Sequence, residues 1–252
     1  MMIFSKDVYP FTTENISGYI ENMDLKDKSL LTLGSSLDQA YNALLLGAKN
    51  ITVFDINVNV ELFHKIKSNL ILTCPREKLY DSVIESYYIE DKNSITDPNT
   101  FYKYNLYMHN DENYYILRDR LKENRINFVN GNIFKVNDSL LDNEKYDRMI
   151  LSNVIQYLEL YSINKDKYEV LKNTFKALKD HLNDKGIIQL LYYYNIKLIN
   201  NCRLDDFFDG YNLNNILNNL YDDVDDITRF RLLEFDDGYC NHKDGVVLYK
   251  KR

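Results

Sequence analysis

Several residue types that mark particular classes of protein are scarce in this 252-residue sequence. The three cysteines, Cys74, Cys202 and Cys240, lie far apart and form no CxxC pair, which argues against a disulfide scaffold and a cysteine-based zinc site. The four histidines have no metal-ligand spacing, and no GxSxG nucleophile motif occurs. We therefore expect no bound metal and a reducing, cytoplasmic environment.

Long apolar runs and an excess of positive charge are also missing. No stretch approaches 18 consecutive apolar residues, and the first 22 residues have no apolar segment behind a basic start, so no integral membrane segment is predicted. Lysine and arginine together number 31 against 38 acids, which gives a net charge of −7. Because proteins that bind nucleic acid backbones usually carry a basic face, we expect no nucleic acid partner.

Two apolar runs near the N-terminus end in residues typical of a ligand site. The first, at 29–33, ends at Gly34, and the second, at 50–55, ends at Asp55 with a helical pattern between them. A strand, a helix and a strand in about 27 residues is the size of a right-handed parallel crossover. Ligands of open α/β sheets bind beyond the carboxyl ends of the strands, where an acid commonly holds two ribose hydroxyls. The pattern therefore predicts a nucleoside-containing cofactor.

The loop that follows the first run narrows the choice of cofactor. Residues 34–38 read Gly-Ser-Ser-Leu-Asp, which is neither the GxGxxG of dinucleotide sites nor the GK[ST] of a P-loop. One glycine followed by serines suits a cofactor that has no phosphates. S-adenosylmethionine is such a molecule, since its amino-acid end needs backbone groups and its ribose needs an acid.

The rest of the chain continues the alternation of strands and helices. Its composition, 45% hydrophobic and 27% charged, suits one domain over 1–252. We predict strands at 126–129, 146–152 and 187–194 and an antiparallel pair at 228–233 and 245–249, with helices at 60–72 and 170–182. The polar segment at about 77–124 is too long for a simple connection and is predicted to be a helical insertion. It either covers the cofactor and shapes a substrate pocket or is a solvated decoration.

In these motifs the chain resembles the class I S-adenosylmethionine-dependent methyltransferase superfamily. The matching segments are 31–36, 53–57, 130–133, 146–153 and 182–187. The resemblance implies an α/β, Rossmann-like fold with a mostly parallel sheet, helices on both faces and an antiparallel C-terminal edge. Residues 35–42 further resemble the branch with the betaine-lipid 3-amino-3-carboxypropyl transferases, which often has glycine where this chain has Leu37.

The resemblance also implies roles for individual residues. Gly34 and Ser35 would approach the methionine part of the cofactor, Asp38 would meet its ammonium group, Asp55 would accept both ribose hydroxyls and Asn132 would bind adenine. The complete set of predicted cofactor-binding residues is Gly34, Ser35, Ser36, Asp38, Asp55, Ile56, Asn57, Asn132, Ile133, Ser152 and Asn153.

Ordinary structural roles compete with four of these assignments. Asp38 suits a plain helix N-cap and Asp55 a turn residue at the end of a strand. Asn132 suits an Asn-Gly turn, and Ser152 with Asn153 suits a strand exit. The candidates for contacts with the acceptor are Ser152, Asn153, Gln156, Tyr157 and the tyrosines at 192–194, and none stands out as catalytic.

The functional expectation is an S-adenosylmethionine-dependent transferase, with methyl transfer to a small molecule as the first choice. The alternatives are transfer of the 3-amino-3-carboxypropyl group of the same cofactor and a non-catalytic scaffold that keeps the fold.

Overall fold

Strands and helices alternate along the chain, as the sequence predicts. The structure, a computed structural model, describes residues 8–86, 96–123, 126–140, 143–158, 166–194, 220, 227–237 and 242–252. Its strands are β1 (Ser29–Leu33), β2 (Lys49–Asp55), β3 (Ile126–Asn130), β4 (Tyr146–Ile150), β5 (Leu182–Tyr193), β6 (Ile227–Asp236) and β7 (Lys243–Lys251). Its α-helices are α1 (Asp38–Leu45), α2 (Val60–Thr73), α3 (Leu79–Ser86), α4 (Pro98–Tyr104), α5 (Asp111–Glu123) and α6 (Lys167–Asp180).

Short 3-10 helices occupy several of the connections. They span Ile16–Gly18, Ile20–Met23, Arg76–Lys78, Leu106–Met108, Ile133–Asp138 and Val154–Tyr157. The chain divides into two compact units, Met1–Gly131 and Asn132–Arg252. A single domain over 1–252 stays a prediction.

The first unit contains three parallel strands, with β2 between β1 and β3. Leu33 of β1 pairs with Phe54 of β2, and Asp55 of β2 pairs with Asn130 of β3. These pairings lie at the carboxyl ends of the strands, where parallel sheets bind ligands. The predicted position of Asp55 at the end of its strand is therefore confirmed.

The predicted insertion at 77–124 is part of the first unit's core in its described residues. Phe101, Tyr107 and Leu117 are fully buried. The Tyr107 hydroxyl donates to Asp38 Oδ1 at 2.7 Å, and Asn42 Nδ2 donates to the Asn105 side-chain oxygen at 2.8 Å. The alternative of a solvated decoration is therefore wrong for this part, and residues 87–95 and 124 lie outside the described residues.

The second unit combines a parallel pair with an antiparallel edge. Strands β4 and β5 are parallel, and β7 pairs antiparallel with both β5 and β6. The segment at 183–186, between the predicted helix and the predicted strand, is an irregularity inside β5. Lys185 has φ 61°, and Tyr146 pairs with Leu182 whereas Arg148 pairs with Ile187. The strands are thus mostly parallel, are flanked by helices and end in an antiparallel edge, which confirms the predicted fold class.

None of the helices in the described part of the chain combines the length and the apolar character that crossing a membrane requires.

Candidate functional site

Asp55 joins the loop after β1 to the loop after β2. Its Oδ2 accepts a hydrogen bond from the Ser35 amide at 3.0 Å, and its Oδ1 accepts one from the Asn57 amide at 2.8 Å. The amides of both loops thus point towards the carboxylate and fix its position. The carboxylate is therefore held in a fixed orientation that suits a pair of neighbouring hydroxyls.

Burial and backbone hydrogen bonds act in opposite directions on Asp55. Burial raises the pKa of its carboxyl, whereas the amides of Asn57, Ser35, Gly34 and Ile56 lower it, and burial has the larger effect. The pKa of Asp55 consequently lies above the ordinary aspartate value.

This raised pKa predicts acid-sensitive binding of a ribose-containing ligand. Only the ionised carboxylate accepts from two hydroxyls, so affinity is expected to be full above the raised pKa and to fall as the pH decreases through it. Calorimetric titration of S-adenosylhomocysteine over a pH series measures the effect. Asp55→Asn is the control and should lack this step, and an identical acid dependence in the variant would contradict the assignment.

Gly34 is required by the close approach of protein atoms. A Cβ built on Gly34 would lie 2.6 Å from Asp55 Oδ2 and 2.6 Å from Val60 Cγ1. Real Cβ atoms do not approach other heavy atoms so closely, so any side chain at this position must displace the carboxylate. Gly34 therefore acts on the predicted site through Asp55.

Gly34→Ala is accordingly expected to lower both cofactor affinity and stability, the latter by about 1–3 kcal/mol, the usual cost of overpacking. Thermal unfolding with and without S-adenosylhomocysteine measures both effects. Gly47→Ala is the matched control because Gly47 has φ 91° and its Cβ would meet the Arg120 side chain, away from Asp55. Gly47→Ala should lower stability and leave the affinity for S-adenosylhomocysteine unchanged. Equal affinities in the wild type and Gly34→Ala would contradict this account of Gly34.

The loop between Gly34 and α1 contains two non-glycine residues with left-handed backbone. Ser35 has φ 32° and Leu37 has φ 67°, and the Leu37 amide closes the turn on the Gly34 carbonyl at 2.7 Å. Leu37 thus adopts a conformation that glycine adopts without strain. It also occupies the N-cap position of α1 without a side-chain hydrogen bond, so the alternative role of Asp38 as the N-cap is wrong.

Asp38 lies in the core of the first unit, where its carboxylate has several partners. Lys67 Nζ and the Tyr107 hydroxyl each lie 2.7 Å from Asp38 Oδ1, and the Thr12 amide donates to Oδ2 at 2.7 Å. Lys67 and Asp38 are both fully buried. Because these partners surround the carboxylate, we leave Asp38 out of the cofactor contacts that we propose below.

Lys67 is equally well enclosed. Besides Asp38, its ammonium donates to the carbonyls of Pro10 and Ser36, each at 2.9 Å. The rings of Phe11, Tyr41, Phe63 and Phe101 surround it with centroids 5.2 to 5.9 Å from Nζ. Burial lowers the pKa of Lys67, and the charge of Asp38 opposes that shift. The sequence signal for this pair was a lysine on the apolar face of α2, in line with the buried Phe63 and Ile71.

The remaining predicted residues of the first unit follow Asp55. Ile56 is 56% exposed, a large fraction for an apolar side chain. Asn57 uses its side-chain oxygen to accept from the Asn59 amide at 2.9 Å, which shapes the turn into α2. Ser36 is buried and contributes its carbonyl to Lys67. The structure thus brings Gly34, Ser35, Asp55 and Asn57 together.

Asn132 and Ile133 belong to the second unit. Asn132 caps the 3-10 helix that starts at Ile133, since its side-chain oxygen accepts from the Phe134 amide at 3.0 Å. The Asn132 side chain therefore has a local structural role, as a helix cap, that the sequence analysis did not name. The amide oxygen keeps a second lone pair, so adenine binding by Asn132 stays a prediction.

The loop after β4 is held by a residue that the sequence analysis missed. The Gln189 side-chain oxygen accepts from the amides of Leu151 and Ser152 at 3.1 and 2.8 Å, and Ser152 has φ 52°. Asn153 Nδ2 donates to the Tyr194 hydroxyl at 3.3 Å. The side chains of Gln156 and Tyr193 lie outside the described residues.

Comparison with known proteins gives matches among solved structures only. No protein-family model matches the chain, and no curated protein matches it. The glycopeptide N-methyltransferase MtfA in complex with S-adenosyl-L-homocysteine is 10% identical and covers 100% of this chain and 92% of its own, with a TM-score of 0.52. MtfA with sinefungin is 9% identical, with coverages of 99% and 98% and a TM-score of 0.50.

A second N-methyltransferase, NodS from Bradyrhizobium japonicum WM9 with S-adenosyl-L-homocysteine, is 10% identical, covers 92% of this chain and 83% of its own, and has a TM-score of 0.47. At such low identities the MtfA structures establish the fold alone. The chain therefore has the fold of the class I S-adenosylmethionine-dependent methyltransferases, as its sequence motifs predict.

Proposed function

We propose that this protein is an S-adenosylmethionine-dependent methyltransferase that acts on a small molecule in the cytoplasm. The observation that carries the proposal is Asp55, a carboxylate held at the end of β2 by the amides of Ser35 and Asn57. The fold supports it, and so do the S-adenosyl-L-homocysteine and sinefungin in the MtfA structures. The cytoplasmic location rests on the widely spaced cysteines.

The contacts that we propose follow from the two loops of the first unit. Asp55 accepts the two ribose hydroxyls, and Ser35 and Gly34 shape the backbone that faces the methionine part. The exposed Ile56 side chain offers an apolar surface for the adenine ring. From the second unit we propose Asn132, Ile133, Ser152 and Asn153 as further contacts, as the motif resemblance implies.

Methyl transfer makes modest chemical demands on the protein. When bound, the cofactor supplies an electrophilic methyl group on a sulfonium ion. The protein has to hold the acceptor in line with that methyl group at near-attack distance and to exclude water. A general base is needed only where the acceptor arrives protonated.

Product analysis tests the proposal and separates it from its alternatives. The protein is incubated with a small-molecule cell extract and with cofactor labelled either on the methyl group or on the carboxypropyl group. We expect S-adenosylhomocysteine and a methyl-labelled acceptor, with both lost in Asp55→Ala. Methylthioadenosine with a carboxypropyl-labelled acceptor would show aminocarboxypropyl transfer instead. Cofactor binding without either product would favour the scaffold.

A further inference from the structure

The carboxyl end of β5 carries a cluster of aromatic and acidic side chains within the second unit. Tyr192 pairs with Val246, and Phe235 of β6 pairs with Asp244 of β7, so the start of β7 lies beside the end of β5. We call Tyr192, Tyr194, Phe235 and Asp244 the β5-end cluster. It lies at the end of a parallel strand, which is the edge where open α/β sheets bind ligands.

The polar centre of the β5-end cluster is a hydrogen bond between the Tyr192 hydroxyl and the Asp244 carboxylate. The Tyr192 hydroxyl donates to Asp244 Oδ2 at 2.5 Å, and the two residues are only 3% and 4% exposed. Carboxylates are rarely buried to this extent, because withdrawing a charge from water is costly. The Tyr192 hydroxyl therefore fixes the orientation of the Asp244 carboxylate at this edge.

Aromatic rings surround this centre. The Tyr194 ring centroid lies 4.8 Å from that of Tyr192, and the Phe235 centroid lies 5.9 Å from it. Tyr194 is 43% exposed, so the cluster reaches the protein surface. Ring faces attract cations, and a carboxylate beside them adds a charged hydrogen-bond acceptor. This combination favours a protonated amine over a neutral alcohol or an anion.

The β5-end cluster is continuous with the loop after β4. Asn153 Nδ2 donates to the Tyr194 hydroxyl, and Gln189 holds the adjoining Ser152 amide. Ser152 and Asn153 are among the residues that we propose for the cofactor. A ligand on the cluster would therefore lie beside the loop on which the transfer depends.

We propose that the β5-end cluster is the acceptor site and that the acceptor is a small amine, an inference that rests on the proposed methyltransferase function. The ammonium form of the acceptor donates a hydrogen bond to the Asp244 carboxylate and loses one proton to water before transfer. The amine lone pair then forms the N–C bond while the C–S bond breaks and leaves its electron pair on sulfur. The product departs as a methylammonium ion.

The test measures binding of ethanolamine, putrescine and tyramine to the full chain in the presence of S-adenosylhomocysteine, by ligand-observed NMR. Ethylene glycol, 1,4-butanediol and tyrosol are the matched alcohols. We expect at least one amine to bind and its alcohol partner to bind at least tenfold more weakly. Asp244→Asn should reduce amine affinity at least tenfold while affinity for S-adenosylhomocysteine changes less than twofold. Tyr194→Ala should also reduce amine affinity at least tenfold.

Two substitutions elsewhere serve as controls. Asp236→Asn removes an exposed acid of β6, and Tyr115→Ala removes an exposed aromatic ring of α5, so both should bind amines as the wild type does. If Asp244→Asn fails to fold, Tyr192→Phe replaces it, because this change removes only the hydroxyl that orients Asp244.

The outcomes separate this inference from the proposed function. Three results would overturn the amine site while leaving cofactor binding intact. They are absence of amine binding, equal binding of amines and alcohols, and equal amine affinity in the wild type and the cluster variants. If S-adenosylhomocysteine itself fails to bind, the proposed function fails and the inference falls with it.

Discussion

Replacing Lys67 by methionine is expected to lower the free energy of unfolding by about 3–5 kcal/mol, the usual cost of removing one partner from a buried ion pair. Lys67 and Asp38 are fully buried, and the lysine ammonium also donates to two backbone carbonyls. Methionine fills a similar volume but leaves the Asp38 carboxylate with only its Tyr107 and Thr12 hydrogen bonds in an apolar surrounding. Urea denaturation measures the loss.

The matched control is a lysine two positions earlier on the same helix. Lys65 pairs with Glu61 at 2.8 Å, but both side chains are more than half exposed. Lys65→Met should therefore change stability by about 0.5 kcal/mol or less. Adding Asp38→Asn to Lys67→Met should recover part of the loss, because the unpaired charge is removed. A Lys67→Met variant as stable as Lys65→Met would contradict the role assigned to the pair.

Replacing Asp55 by alanine is expected to weaken binding of S-adenosylhomocysteine by about 1.5–3 kcal/mol, or about 10- to 150-fold. The variant loses a charged acceptor for both ribose hydroxyls and releases the amides of Ser35 and Asn57, so the two loops lose their common anchor. Isothermal titration calorimetry gives the affinity, and circular dichroism checks that the variant is folded.

Asp27 offers a control for the loss of an acid from the first unit. It pairs with Lys49 at 2.6 Å, and both side chains are more than half exposed. Asp27→Ala should bind S-adenosylhomocysteine as the wild type does. A folded Asp55→Ala variant with unchanged affinity would contradict the ribose assignment.

The position of Asp55 could be predicted from the sequence because its cause is local. An apolar run that ends in an acid, one helix after a similar run that ends in glycine, fixes a parallel crossover and the edge at which the acid lies. The steric requirement for glycine at position 34 could not be predicted in the same way. Its neighbours Asp55 and Val60 are distant in sequence and approach only after β1 and β2 have paired.

The N-cap alternative for Asp38 is wrong because local and tertiary preferences disagree. Aspartate before an apolar helical pattern is a favoured N-cap, but the buried Lys67, 29 residues later, binds this carboxylate. Helix α1 consequently includes Asp38 as its first residue, and Leu37 occupies the N-cap in a left-handed conformation. Long-range electrostatics in a buried site outweighs a capping bond of about 1 kcal/mol.

In the insertion and in the second unit, local sequence patterns also fail to reveal which residues are in contact. The polar composition of 77–124 hides the buried Phe101 and Tyr107, which contact Phe11 and Asp38 on other segments. Gln189 and Asp244 had no local signal, because only the strand register places them beside Ser152 and Tyr192. Periodicity predicted the strands, whereas the partners of their polar side chains depend on the pairing of the strands.

The most direct test of the central claim is calorimetric titration of S-adenosylhomocysteine into the wild-type protein. We predict saturable binding at one site per chain, with a dissociation constant below 1 mM, since about 4 kcal/mol of binding free energy corresponds to that value. Absence of binding at millimolar concentrations, in a protein that unfolds cooperatively, would contradict the cofactor site built around Asp55.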